Sequence, residues 1–263
     1  MNTVPEDRGG QIAASSSSTA TPASDAQRVL PTLLFVHGAC VRDAGWWWSQ
    51  MIGPLAERGI PSAAVALPSC GETGDALGDL TADVQACQEA IREVDRPVVL
   101  CGHSYGGVII TEAGAHERVT QLLYVTSVMP DAGQSQAEMI GAEPAPWLQP
   151  GKDTVGVDPD MIRDYFLQDC DEATVEAALA RLTRQSLAPF GQPPCEIAWR
   201  STPSSYIVCT QDLATPAETQ RARIRAGAHH VEFDAGHHPF LSRPDAFAQL
   251  LADEIKAARA ATP

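Results

Sequence analysis

The chain has no apolar run approaching the roughly 20 residues that a membrane-spanning helix needs; stretches such as 32–36 and 97–101 have the length of a strand. A membrane location is therefore not expected. Basic residues are scarce, 18 Lys and Arg against 33 Asp and Glu, for a formal charge of −15. A surface that grips phosphates needs clustered cations, so this balance argues against nucleic acid as a partner and makes strongly anionic substrates less attractive. The seven cysteines, Cys40, Cys70, Cys87, Cys101, Cys170, Cys195 and Cys209, lie far apart and form no C-x-x-C pair. An odd, scattered set suits a reducing, cytoplasmic setting better than a disulfide framework. There is no H-E-x-x-H spacing, and successive strand residues point to opposite faces, which separates His229 from His230. No metal or cofactor is expected. Residues 1–28 lack a periodic apolar pattern, a basic start and an uninterrupted apolar segment, and read as a disordered leader ahead of one domain, 29–263.

What is present is alternation. Short β-branched runs at 32–37, 62–67, 97–102, 119–127, 204–210 and 229–234 take turns with amphipathic stretches at 46–58, 80–94, 105–115, 217–226 and 244–258. In the second of these, Leu80, Val84, Cys87, Ile91 and Val94 recur at spacings of three and four, giving one buried stripe. The pattern predicts an α/β fold, a mainly parallel sheet of about six strands flanked by helices. The segment from about 131 to 202 breaks the alternation, with helical patches near 159–169 and 172–185. It is too long for an ordinary connection, and its apolar residues, among them Trp147, Met161 and Phe166, favour a helical cap folded onto the core.

Gly102, His103, Ser104, Tyr105 and Gly106 satisfy G-x-S-x-G where a strand ends and a helix begins. The bare motif is weak; its place is what matters. A sharp strand-to-helix turn pushes one hydroxyl out of the backbone, and flanking glycines leave room for it. The alternative is a turn with a capping serine.

These pieces resemble the α/β-hydrolase superfamily from about residue 32 to 258. Leu33 to Ala39 resemble its first strand and oxyanion loop, Cys101 to Gly107 its nucleophile elbow, Ser204 to Asp212 the strand and turn presenting the acid, and Ala235 to His237 the loop carrying the base. The chain order Ser104, Asp212, His237 is the order of that fold. The resemblance implies a catalytic triad of those three residues and an oxyanion hole from the backbone N–H groups of Ala39 and Tyr105. The Trp-rich stretch after the oxyanion loop and the turn at 210–212 look most like the small esterase and hydroxynitrile-lyase branch. Asp131 is the rival acid, since it follows the fourth strand; His238, His230, His229 and His103 are the rival bases.

The expected activity is hydrolysis of a carboxylic ester, lactone or thioester of a small hydrophobic molecule through an acyl-enzyme on Ser104. His238, Trp147, Phe166 and Met161 are the expected substrate contacts. The alternatives are a hydroxynitrile-lyase-like C–C lyase and a non-catalytic ligand receptor. In the lyases of that branch a Thr follows the first-strand His and a Lys follows the catalytic His; here Gly38 and His238 stand in those places.

Overall fold

The computed structural model describes Met1 and residues 29–72, 76–141 and 145–261. The leader expected over 1–28 lies, Met1 aside, outside them. The described strands are β1 (Thr32–Val36), β2 (Ser62–Val65), β3 (Val98–His103), β4 (Val119–Val125), β5 (Leu148–Pro150), β6 (Thr154–Val157), β7 (Gln185–Ser186), β8 (Ser204–Cys209) and β9 (His229–Phe233). Six of them form a parallel sheet in the order β2-β1-β3-β4-β8-β9. The six expected runs are these six strands, each within two residues of its reading.

The inner strands β1, β3, β4 and β8 are largely apolar because both faces are covered, whereas the edge strand β9 is mostly exposed. Leu33, Phe35, Val99, Cys101, Leu123, Val125, Ile207 and Cys209 face Met51 and Leu55 of the helix Ser49–Glu57 and Phe247, Leu251 and Ile255 of the helix Pro244–Ala261. The alternate residues Leu34, Val36, Leu100, Leu122, Tyr124, Tyr206 and Val208 face the helices Leu80–Glu93 and Gly106–Ala113. The stripe Leu80, Val84, Cys87 and Ile91 is buried as its spacing requires.

The helix read over 46–58 is two helices, Ala44–Trp47 and Ser49–Glu57. They part at Trp48, whose fully buried ring stacks on Phe35 with centroids 4.1 Å apart. Between β4 and β8 lie the helices Gln136–Ile140, Pro159–Phe166, Glu172–Leu179 and Ala188–Gly191. With them comes an antiparallel sheet, β5-β6-β7, which the periodicity did not disclose. Strands of two to four residues are too short to show a period of two. Backbone bonds from Thr183 N to Cys40 O and from Arg42 N to Arg181 O, each 2.9 Å, stitch this segment to the loop after β1.

Candidate active site

β3 ends at His103, and Ser104 takes φ +51 before the helix Gly106–Ala113 begins. A left-handed serine is strained, and the surroundings enforce it. Ser104 N donates to Val125 O of β4 (3.1 Å), and Ser127 Oγ donates to Ser104 O (2.5 Å). This is a sharp turn rather than a plain helix cap: the N-cap residue Tyr105 makes no capping bond, its hydroxyl going to Asp83, and Ser104 Oγ makes no hydrogen bond among the described residues. The Ser104 hydroxyl opens instead onto a cavity of about 510 Å³ between the sheet's carboxyl edge and the segment joining β4 to β8. Ligand sites of open α/β sheets gather at that edge.

His237 lines the same cavity and is buried. Its Nδ1 lies 2.8 Å from Asp212 Oδ2. A carboxylate accepts only, so Nδ1 carries a proton, and it is in the neutral ring that Nε2 keeps its lone pair. Asp212, at the turn after β8, also accepts from Thr126 Oγ1, from the backbone N–H groups of Ala214 and Thr215 at 2.9 Å, and from Gln220 Nε2 at 3.4 Å. Burial pushes its carboxyl pKa up, but His237, Thr126 and Thr215 outweigh burial and hold it below the usual carboxylate range. Asp131, the rival acid, pairs instead with Arg200 at the surface.

Four of the six remaining histidines divide by partner. His103 Nε2 donates to His237 O (2.9 Å), tying the end of β3 to the His237 loop. His37 Nδ1 donates to Gly38 O (2.8 Å) and its Nε2 lies 2.9 Å from Glu72 Oε1, which fixes the loop after β1. His229 lies 3.6 Å from Glu254, away from the cavity lining. His238 Nδ1 donates to Phe166 O (3.0 Å), and its ring packs on Trp47 with centroids 5.2 Å apart. The backbone N–H groups of Ala39 and Tyr105 donate to no group among the described residues, and Ala39 lines the cavity.

Of the expected substrate contacts, His238, Trp147 and Phe166 line the cavity. Met161 does not. Ile162 and Phe166, four residues apart on the helix Pro159–Phe166, share the inward face and Met161 lies one position off it. Of Trp46, Trp47 and Trp48 the middle one reaches the cavity. Cys40 also lines it, but burial pushes its thiol up to about 12, which leaves it protonated and un-nucleophilic near neutral pH.

The sequence reading passed over a buried polar chain behind Ser104. Asp83 accepts from Ser69 N (2.9 Å), Ser69 Oγ (2.6 Å) and Tyr105 OH (2.6 Å). Gln185 Nε2 donates to Ser69 Oγ (2.9 Å), and Gln185 Oε1 accepts from Cys40 N (2.9 Å). Desolvation raises the Asp83 pKa despite these donors. The chain joins Tyr105 to Cys40, the residues beside Ser104 and Ala39. No spacing in the sequence connects positions 40, 69, 83, 105 and 185.

His238 gives a pH signature. Burial, then the neighbouring His237, lowers its pKa from the ordinary 6.5 to about 3. The folded state thus refuses a proton that the unfolded chain accepts. Stability from this group is complete above about pH 6.5 and is lost as pH falls toward 3. His103, lowered well below its ordinary value by burial and by His237 and His238, acts in the same direction. Urea midpoints measured from pH 7 to pH 4 should fall on acidification. In His238→Asn, whose amide can still donate to Phe166 O, the proton uptake on unfolding near pH 5 should drop by about one. Parallel wild-type and variant curves would contradict this.

A parallel sheet in this strand order, a strained serine where β3 turns into a helix, and an acid-anchored histidine over a cavity define a hydrolase of the α/β type. The chain belongs to the alpha/beta hydrolase family, whose family model matches residues 33–250. It is 26% identical over 240 residues to the alpha/beta hydrolase nvfD of Aspergillus novofumigatus, covering 84% of this chain and 95% of that one. It is 26% identical over 256 residues to methylesterase 3 of Arabidopsis thaliana, covering 83% and 94%. A crystal structure of the pyrethroid hydrolase PytH with BIF superposes with a TM-score of 0.76 at 25% identity, covering 86% and 98%. Esterase-like relatives support ester hydrolysis as the general activity. No helix among the described residues is long and apolar enough to cross a membrane.

Proposed function

We propose that the chain is a serine hydrolase that cleaves a carboxylic ester of a small hydrophobic molecule through an acyl-enzyme on Ser104. The observation that carries this reading is the strained Ser104 opening onto the cavity that the Asp212-anchored His237 also lines. His237 Nε2 takes the proton of Ser104 as its oxygen attacks the carbonyl carbon, and Asp212 stabilises the resulting imidazolium. Ser104 Oγ has no hydrogen-bond partner among the described residues, so rotation of its side chain toward Nε2 is part of the proposed step. The tetrahedral oxyanion is held by the N–H groups of Ala39 and Tyr105, each contributing about 2.7–4 kcal/mol in the transition state. His237 then protonates the departing alcohol, and water activated by the same imidazole releases the acid.

Lactones and thioesters call on the same machinery. A lyase reading finds less support. A Cβ at Gly38 would stand 3.1 Å from His103 Nδ1 and 3.2 Å from Ser104 Cβ, which crowds the threonine that the resembled lyases carry. His238 is neutral, and so supplies no cation where those lyases carry lysine.

Labelling with a fluorophosphonate and mass spectrometry of the modified peptide tests the proposal. The expected result is one label on Ser104, absent from Ser104→Ala. A label elsewhere, or equal labelling of the variant, rejects Ser104 as nucleophile. Turnover of chromogenic esters with an acyl-enzyme burst separates a hydrolase from a receptor that binds without reacting.

A further inference from the structure

Three arginines close the helix Ala217–Arg223 and the turn after it. Arg221 pairs with Glu232 of β9, Nε to Oε1 at 2.9 Å. Arg225 donates from Nε to Met129 O (2.7 Å) and from Nη2 to Gln134 Oε1. Arg223, between them, makes no hydrogen bond or ion pair among the described residues. Four residues after Thr219, it shares that residue's helix face, and both line the cavity that holds Ser104 and His237.

Arg223 is half-buried in the cavity wall, with the Tyr206 hydroxyl and Asp212 as its electrostatic neighbours. Desolvation lowers its pKa, the mark of a cation with too little to solvate it. Asp212 does not relieve this. Its oxygens are already occupied by Thr126, His237, Ala214, Thr215 and Gln220. Among the described residues lining the cavity there is no Asp or Glu, and Arg223 is the one permanent cation in a wall otherwise mostly apolar. A planar fork of five N–H donors with no acceptor of its own, set in a mostly apolar wall, matches a carboxylate.

We propose that Arg223 is a specificity-determining residue that anchors a carboxylate on the substrate, so that the preferred ester carries a free acid group at the far end of an apolar acyl chain. This deepens, and rests on, the ester-hydrolase reading. It also departs from the expectation that the acidic surface disfavours anionic substrates. The −15 is the net charge of the whole chain, and exposed charges are screened within about 8 Å at physiological salt, whereas the cavity presents the substrate with an adjacent guanidinium.

The experiment compares mono-p-nitrophenyl adipate and pimelate with p-nitrophenyl hexanoate and heptanoate, the neutral chains of equal length, at fixed ionic strength. The readout is the ratio of kcat/KM for acid over neutral ester. In the wild type that ratio should exceed one. In Arg223→Gln it should fall at least tenfold, chiefly through KM, and Arg223→Lys, which keeps the charge without the fork, should restore part of it. A wild-type ratio below one, or the same ratio in Arg223→Gln, would overturn the proposal while leaving ester hydrolysis standing. Failure to hydrolyse either class of ester would instead bring down the activity on which it rests.

Discussion

Asp212→Asn is expected to lower kcat toward chromogenic esters by about 10⁴-fold, with the fold intact. The reason lies in the tautomer. In the native arrangement the carboxylate accepts the Nδ1 proton at 2.8 Å, which leaves the Nε2 lone pair free to receive the serine proton. An amide can turn its NH₂ toward Nδ1, drive the proton to Nε2 and remove the base. The carboxylate is also charged in the folded protein, with its pKa held below the usual range, so the variant loses the field that stabilises the imidazolium. The same measurement decides between the two candidate acids. Asp131 meets Arg200 at the surface and has no bond to His237, so Asp131→Asn should leave kcat within about twofold. Collapse of the Asp131 variant with survival of the Asp212 variant would reverse the assignment.

That two acids had to be weighed at all shows where sequence reasoning stops. Both follow apolar strands, and which strand end lies beneath the His237 loop is a matter of sheet order. β8 stands next to β9, and Gln211 N bonds Ala235 O at 3.0 Å; that pairing brings the turn at 212 beneath the loop at 237. The inner strands were legible because burial on both faces marks nearly every residue of a run, and the stripe of Leu80, Val84, Cys87 and Ile91 because burial of one helix face recurs every three or four residues. Thr126 left no mark. It is one polar residue past β4, yet it takes φ +39 and gives its hydroxyl to Asp212. Met161 is as apolar as its neighbour, but the helix phase turns Ile162 into the cavity. Arg221, Arg223 and Arg225 are indistinguishable as letters; what separates them is that two find acceptors outside the cavity and one faces into it.

The elbow itself gives the largest expected effect on folding. A Cβ at Gly106 would stand 2.3 Å from Val36 O and 3.0 Å from His37 O, both backbone atoms of β1 and the loop that follows it. Side chains can yield to such a contact, but Val36 pairs with Gly102 of β3 and Val65 of β2, so moving its carbonyl means breaking the centre of the sheet. Gly106→Ala should therefore destabilise by more than about 4 kcal/mol, with soluble yield and Tm falling together. Gly53, in the helix Ser49–Glu57, has nothing within 4 Å of a built Cβ. There the same substitution should stabilise by roughly 0.5–1 kcal/mol, because alanine gives up less backbone entropy in a helix than glycine does. A Gly106→Ala protein that melts like the wild type and keeps its activity would show that the serine turn is not pressed against β1.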